Sequence, residues 1–569
     1  MYFNSKGKEE VTYDAIVVGS GISGGWSAKE LSEKGLKTLV LERGRDIKHP
    51  EYPTANLDTW DVPNRGKLTE EEWKDYEKQR RTGYTVSQFS KDLWVKDTEH
   101  PYNEVKPFDW IRGYHVGGRS LLWGRQSYRW SDIDFTANGK EGVAIDWPIR
   151  YADVQKWYDY VEDFVGISGQ AEGLPQLPDS KFQPPMDLNC IEKHVKGKIA
   201  KAYNDRMMTI GRVAHITKPG GHNGRGTCQS RNRCMRGCPY GAYFSSNAST
   251  LPAAAATGNM TLRPFSIVHS IIYDDKTQKA TGVRVIDTET KETHEFYAKV
   301  IFLNASSLPT ASILLNSKSA RFPDGMGNDS GELGHNIMDH HFQIGASGSS
   351  EEFQDQYFKG RRPNGIFVPR FRNIDKSSKQ KDFLRGYGYQ GGGGRQTWWR
   401  PAESAKYGAS FKEELMAPGD WTISLHGFGE CLPYHDNKMV LDYQKVDKWG
   451  LPTITLDVEW KENEMAMRKD MKTQAVEMLE ASGIKNVKPF ENRCAPGLGI
   501  HEMGTARMGK DPKTSVLNKW NQIHAVKNVF VTDGACMTSA ANQNPSLTYM
   551  AISARAANYA VEALKKDNI

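Results

Sequence analysis

The sequence predicts an α/β protein: a parallel, doubly wound sheet at the N-terminus, joined to a second, α+β unit that contains an antiparallel sheet. Two patterns carry this reading. Tyr13-Asp-Ala-Ile-Val-Val-Gly19 is an apolar run ending in glycine, Ser23 to Gly35 has the composition of a helix, and Lys37-Thr-Leu-Val-Leu41 is a second apolar run. That is the strand, turn, helix, strand opening of a parallel sheet. Farther on, Thr422-Ile-Ser-Leu-His426, Met439-Val-Leu-Asp442 and Thr453-Ile-Thr-Leu-Asp-Val-Glu459 alternate apolar and polar residues, the period of half-buried antiparallel strands.

Between these regions, Thr261 to Tyr273, Ala280 to Asp287 and Lys299 to Asn304 are expected to return as strands to the first sheet. Thr54 to Lys96 is polar, charged and aromatic without a period, and is expected to wrap over the surface. Residues 1–150, 195–345 and 495–569 are accordingly assigned to the first unit, and 151–194 and 346–494 to the second. Gly391-Gly-Gly-Gly394, followed by Trp398-Trp399, reads equally well as a mobile loop over a site and as a flexible connection.

With 569 residues, the chain is long enough for two or more domains with real cores. Its 75 basic and 69 acidic residues, net +6, are spread along the whole length. No stripe or tail can follow a phosphate backbone, so nucleic acid is not an expected partner. No apolar run reaches the roughly 20 residues of a membrane-spanning helix. Met1 to Thr12 is charged and polar, so no export signal is expected in this chain. Seven cysteines at uneven spacing argue against a disulfide framework.

Gly19-x-Gly21-x-x-Gly24 follows a predicted strand and opens a helix, the context in which this pattern binds a dinucleotide. The glycines permit a tight turn, close approach of backbone to a pyrophosphate, and close helix-on-sheet packing, with the phosphates on amides at the helix N-terminus. Glu42 ends the second strand, about 20 residues on, where a carboxylate can accept from ribose hydroxyls. The first unit is therefore Rossmann-like and takes an adenine dinucleotide.

Cys228-x5-Cys234-x3-Cys238-Pro239 places three thiols on one loop, among Gly, Arg and Asn. Closely spaced thiolates can converge on one inorganic centre, and proline after the last cysteine also occurs in ferredoxin runs. Zinc, completed by His215 or His222, is the competing reading. Cys190, Cys431, Cys494 and Cys536 stand apart and are read as packed thiols.

Five motifs in order, the N-terminal glycines, Gly117-Gly118-Arg119-Ser120, Gly334-His-Asn-Ile-Met-Asp-His340, His501-Glu-Met-Gly-Thr505 and Asp533-Gly534 with Asn544-Pro545, give a chain that resembles the glucose-methanol-choline (GMC) oxidoreductases over nearly its full length. The resemblance implies FAD, with Gly117, Gly118 and Ser120 along the flavin and Asp533 and Gly534 in the late flavin-binding segment. The helix after Pro545 is expected to point its positive end at the flavin. Some relatives carry, two positions after the serine, a histidine that bonds covalently to the flavin; here that position is Leu122, which implies non-covalent FAD.

Oxidising an alcohol requires a base that takes the hydroxyl proton while hydride leaves the carbon, and histidine suits that role. The resemblance assigns His501 as the base and Asn544 as the group that orients the hydroxyl. His335, His340, His341 and His524 are read as structural or pocket-lining. The cysteine spacing looks like that of the iron-sulfur branch, the FAD-dependent sugar dehydrogenases, in which three such cysteines hold a [3Fe-4S] cluster.

The chain is most similar to the glucoside 3-dehydrogenases of that branch, which oxidise a secondary ring hydroxyl of a sugar or glucoside to a ketone. The resemblance further implies a small helper subunit with a twin-arginine signal, a cytochrome c acceptor, and a periplasmic site reached in folded form. Trp398, Trp399 and Trp421 fit stacking on a pyranose, although aromatics are more often core. A dehydrogenase acting at another carbon, an oxygen-using oxidase, a lyase and an electron-transfer subunit without its own substrate are the alternatives.

Overall fold

The apolar run before the first glycines forms the strand Thr12–Val18, buried from Ala15 to Val18 as the centre of a parallel sheet requires. In the computed structural model, which describes residues 12–48, 52, 55–83, 85–358, 365–396, 407–492 and 494–569, this strand pairs in parallel with Thr38–Leu41 and Thr293–Leu303. The sheet runs in the order Gln522–Ile523, Val526–Val531, Thr293–Leu303, Thr12–Val18, Thr38–Leu41, Met260–Arg263. Ser266–Asp274 and Lys279–Asp287 extend it as an antiparallel pair, so the runs expected to return to the first sheet do so.

Side chains on the central strand alternate between two cores. Ala15 and Val17 pack with Ala28, Leu31 and Ala557 on the helices Ile22–Glu33 and Ser546–Lys565. Ile16 and Val18 pack with Leu308, Ala311 and Leu314 on the helix Ser307–Asn316. Both faces are covered, which is the doubly wound arrangement.

The second sheet is antiparallel, in the order Lys485–Glu491, His340–Ser350, Trp421–Glu430, Tyr387–Arg395, Ile366–Val368, Thr209–Ile210. One face packs on the helices Glu462–Ala481 and Cys190–Ala202, burying Ile344, Tyr387, Leu425, Val195 and Met471. The other face carries Phe342, Gln390 and Phe428 toward the first unit.

Several sequence expectations change here. Gly391 to Gly394 is neither loop nor connection but the middle of the strand Tyr387–Arg395. A Cβ on Gly391 would lie 2.0 Å from the Ser424 carbonyl oxygen, and one on Gly393 2.4 Å from the Ile191 side chain, so glycine there answers to packing. Trp398 and Trp399 lie outside the described residues. Trp421 is 1% exposed and its Nε1 donates to the Phe353 carbonyl, so it is core and not a sugar platform.

The strands Lys438–Val446 and Pro452–Asp457 leave the main antiparallel sheet and pair with Asn103–Glu104 in a sheet of three, because Met439, Ile454 and Leu456 find their apolar contacts in the first core. The helix Tyr151–Val165 also packs on the first core, whereas Cys190–Ala202 and Thr209–Ile210 go with the second sheet, so the boundaries expected at 150 and 195 do not follow the packing. The excursion from residue 55 onward carries a small core of its own, Ala55, Tyr76, Val86, Leu93 and Trp94, set against Leu121 and Leu122.

Candidate functional site

The turn after the first strand is shaped by what its glycines exclude. Gly19 has φ +91°, and a Cβ there would sit 2.3 Å from the Asn304 carbonyl oxygen; a Cβ on Gly24 would sit 1.9 Å from the Gly19 carbonyl oxygen. At Gly21 a Cβ would meet nothing within 4 Å. Two glycines thus close the turn and the third faces open space at the N-terminus of Ile22–Glu33, where main-chain amides can receive an anionic ligand. The Ser20 hydroxyl ties the turn together: it donates to Glu42 Oε2 at 2.5 Å and accepts from the Gly117 amide at 2.9 Å. Glu42 also accepts from the Gly44 amide at 3.1 Å, and burial pushes its pKa up.

The two residues expected to form the acid-base pair meet at the other end of the same space. His501 Nε2 lies 3.4 Å from Asn544 Nδ2, and His501 Nδ1 lies 3.1 Å from His340 Nδ1. Asn544 Oδ1 accepts from Gln390 Nε2 at 2.5 Å, so its amide nitrogen is the atom turned toward His501. Burial holds the His501 pKa well below the usual histidine value, with His340 and Arg119 adding to the effect, and the ring stays neutral. The loop that carries it is anchored by Asp339, whose two carboxylate oxygens accept from the amides of Gly499 at 2.9 Å and His501 at 3.0 Å. Burial and the neighbouring Glu502 push Asp339 up to about 7. Ile500, between them, sits at φ +60°, a conformation that costs of order 1–3 kcal/mol for a β-branched residue and marks a loop held in place by its surroundings.

A second tie joins the two ends. Arg119 donates to both oxygens of Glu502, at 3.0 and 2.8 Å, and to Ser306 Oγ at 2.8 Å. Asp533 accepts from Thr310 Oγ1 at 2.6 Å and the Ala535 amide at 2.9 Å, and burial pushes it up to about 6. Gly534, Asn544 and Ser546 bring the N-terminus of Ser546–Lys565 to the same wall.

These groups line one cavity of about 520 Å³, bounded by Gly19, Gly21, Glu42, Gly118, Ser120, His501, Asp533, Gly534 and Asn544. Gly24 and Gly117, also singled out by sequence, stand behind the wall, one closing the turn and the other holding Ser20. Sequence reasoning missed Arg119, Asp339 and Gln390 as working residues. Arg119 and Asp339 lay inside motifs read for their neighbours; Gln390 carried no signal, since only the register of its strand turns it to the cavity. The open space at Gly21, the bare helix N-terminus and the continuous cavity fit a dinucleotide that reaches from the glycine turn to His501.

Cys228, Cys234 and Cys238 are free and half-buried, and with His215 they line a separate, small cavity of about 30 Å³. Met235, next to Cys234, lines the large cavity. Cys431 and Cys536 are buried, whereas Cys190 and Cys494 are only half-buried.

Family models described as GMC oxidoreductase match residues 13–342 and 433–553. The chain is similar to the 2-methyl-1,2-propanediol dehydrogenase of Mycolicibacterium austroafricanum, with 30% identity over 96% of this chain and 94% of the relative. It is similar to the fructose dehydrogenase large subunit of Gluconobacter japonicus, with 24% identity over 98% and 99%. Among solved structures, a formate oxidase of Aspergillus oryzae aligns over 99% of this chain and 100% of that one, with a TM-score of 0.61 at 14% identity, which is a likeness of fold. The chain belongs to the GMC oxidoreductases, and it is an FAD-dependent oxidoreductase of the kind that acts on sugars and alcohols.

Proposed function

We propose that the chain oxidises a secondary hydroxyl of a sugar or glucoside, at C3, to a ketone, and that the electrons leave through a [3Fe-4S] cluster on Cys228, Cys234 and Cys238 to a cytochrome c. The carrying observation is the pair His501 Nε2 and Asn544 Nδ2, 3.4 Å apart, at the end of the cavity that begins at the glycine turn. A hydroxyl between them gives its proton to His501, and Asn544 donates to the oxygen as negative charge builds there. Bound FAD supplies the acceptor for the hydride that leaves the same carbon. Phe342 and Phe428, stacked with centroids 5.0 Å apart, line the cavity and suit the apolar face of a pyranose. Leu122, where some relatives carry a flavin-bonding histidine, supports FAD held without a covalent bond.

The cysteine loop supports an internal exit for electrons, since Met235 reaches the wall of the FAD cavity while its neighbour Cys234 lines the small one. Three half-buried thiols on one small cavity suit a cluster, in which each thiolate meets a different iron. The fructose dehydrogenase relative is named as a large subunit, which supports a partnered enzyme; a helper with a twin-arginine signal would carry the folded chain to the periplasm.

A second reading is favoured by the 30% identical relative, whose name gives a small aliphatic diol as substrate. Anaerobic titration of the flavin band with methyl glucoside, glucose, fructose, gluconate and 2-methyl-1,2-propanediol separates the two, and identifying the oxidised carbon by NMR of the product tests C3. Iron and acid-labile sulfide counted on anaerobically purified protein test the cluster. Bleaching by the diol alone, or protein free of iron, would overturn the corresponding part.

A further inference from the structure

His340 and His501 meet edge to face, with ring centroids 4.8 Å apart and the two Nδ1 atoms 3.1 Å apart. Two nitrogens at that distance share one proton, and which ring supplies it is decided one contact farther back. His340 Nε2 lies 2.5 Å from the Ala541 carbonyl oxygen. A carbonyl oxygen only accepts, so the proton of a neutral His340 is on Nε2 and its lone pair is on Nδ1. His501 then has to donate from Nδ1, which leaves its own lone pair on Nε2, the nitrogen facing Asn544.

We propose that His340 is a positioning residue, which fixes His501 in the tautomer whose basic nitrogen faces the substrate. This rests on the reading of His501 as the base. His340 is 1% exposed and is not among the residues lining the cavity, so it acts through His501 and not on substrate. Burial holds His340 at about 4, which keeps it a neutral acceptor at working pH. Asp339 does not do this work: its oxygens take the amides of Gly499 and His501 and orient the loop, not the ring. A free, neutral histidine side chain favours the opposite tautomer, with the proton on Nε2, so the needed one has to be imposed. The loop 541–544 therefore holds both ends of the chain of contacts: the Ala541 carbonyl orders His340 at one end, and the Asn544 amide meets His501 at the other.

The test compares His340→Phe, which keeps a ring and removes the acceptor, with His340→Asn, which restores an acceptor oxygen near the place of Nδ1. Anaerobic stopped-flow reduction of the flavin is followed in FAD-loaded protein, with whichever sugar of the panel above reduces it fastest. His340→Phe is expected to slow reduction by about 10- to 100-fold with the substrate concentration for half-saturation changed less than about threefold, and His340→Asn to recover most of the rate. Equal rates in wild type and His340→Phe overturn the proposal, provided His501→Ala is inactive; an active His501→Ala overturns the base assignment instead. In the unmutated protein, ¹⁵N shifts of labelled histidine assigned by loss of the signal in His501→Gln should report Nδ1–H at His501. Nε2–H there overturns the proposal even if a variant fails to fold.

Discussion

Arg119 clasps Glu502 with two hydrogen bonds, 3.0 and 2.8 Å long, and so joins segment 117–120 to the loop that carries His501. The Glu502 side chain is fully buried and that of Arg119 largely so. Replacing Arg119 by Ala leaves a carboxylate without its partner in a dry setting, which costs about 3–5 kcal/mol, whereas removing both charges together costs less. Chemical denaturation of Arg119→Ala and of Arg119→Met/Glu502→Gln should therefore rank the double variant as the more stable. Both should reduce flavin slowly, because the loops are no longer held to one another; a single variant as stable as wild type would refute the assignment.

The glycine turn gives a sharper contrast. Gly24→Ala drives a methyl group into the Gly19 carbonyl, 1.9 Å away, so this variant is expected to lose folded protein. Gly21 has ordinary negative φ and open space around it, so Gly21→Ala meets no protein atom and should fold. Its methyl group occupies the room in which backbone approaches the pyrophosphate, so the purified protein should carry little flavin. The ratio of flavin to protein absorbance, beside a circular dichroism spectrum, checks both; Gly21→Ala with full flavin would show that the cradle lies elsewhere.

The parts of this molecule legible in the sequence are those where one local rule decides. Val17 and Gly19 belong to a run whose period and punctuation admit a single reading, and Glu42 follows from the strand after it. Motif resemblance singled out His501 and Asn544, and the structure places their side chains 3.4 Å apart. Gly391 misled because a glycine run is ambiguous by itself: the Ser424 carbonyl and the Ile191 side chain that demand it come from distant strands and helices. Met439 and Ile454 alternate as expected, but which sheet they join depends on the apolar contacts offered by a core built from other segments. His340 looked like any buried histidine, since its role is set by the Ala541 carbonyl, two hundred residues away along the chain.

Buried histidines and buried acids set opposite slopes of stability with pH. His115 and His340 are held at about 4 by burial, so below about 6.5 the unfolded chain takes up protons that the folded chain refuses, and stability falls as pH drops. At pH 5 each costs roughly 2 kcal/mol. Asp339, at about 7, and Glu430, at about 8, stay protonated in the folded state, so their contribution is present at low pH and is lost as pH rises toward those values. Between about pH 4.5 and 6.5 the two sets oppose one another, and above about 6.5 the acids act alone, so thermal stability of FAD-loaded protein should change little over the first window and fall from pH 6.5 to 8. His115→Phe removes one rising contribution, so its stability at pH 5 relative to pH 6.5 should be higher than in the unmutated protein, with the fall from pH 6.5 to 8 unchanged; an unchanged ratio would show that His115 does not contribute.

Substitution at Cys234 separates the two halves of the proposed turnover. Cys234 lines the small cavity with Cys228 and Cys238, but touches neither His501 nor the glycine turn. Cys234→Ser replaces a soft thiolate with a weak hydroxyl ligand, so iron content should fall, while sugar should still bleach the flavin at close to the normal rate because the base is intact. Delivery of electrons to cytochrome c should slow by about tenfold or more, since the one-electron relay is gone. Cys190→Ser, half-buried on the helix against the second sheet, is the matched control and should keep iron and both rates. Normal cytochrome reduction in an iron-free Cys234→Ser protein would mean that electrons pass from flavin to acceptor directly, and that the cysteine loop serves structure alone.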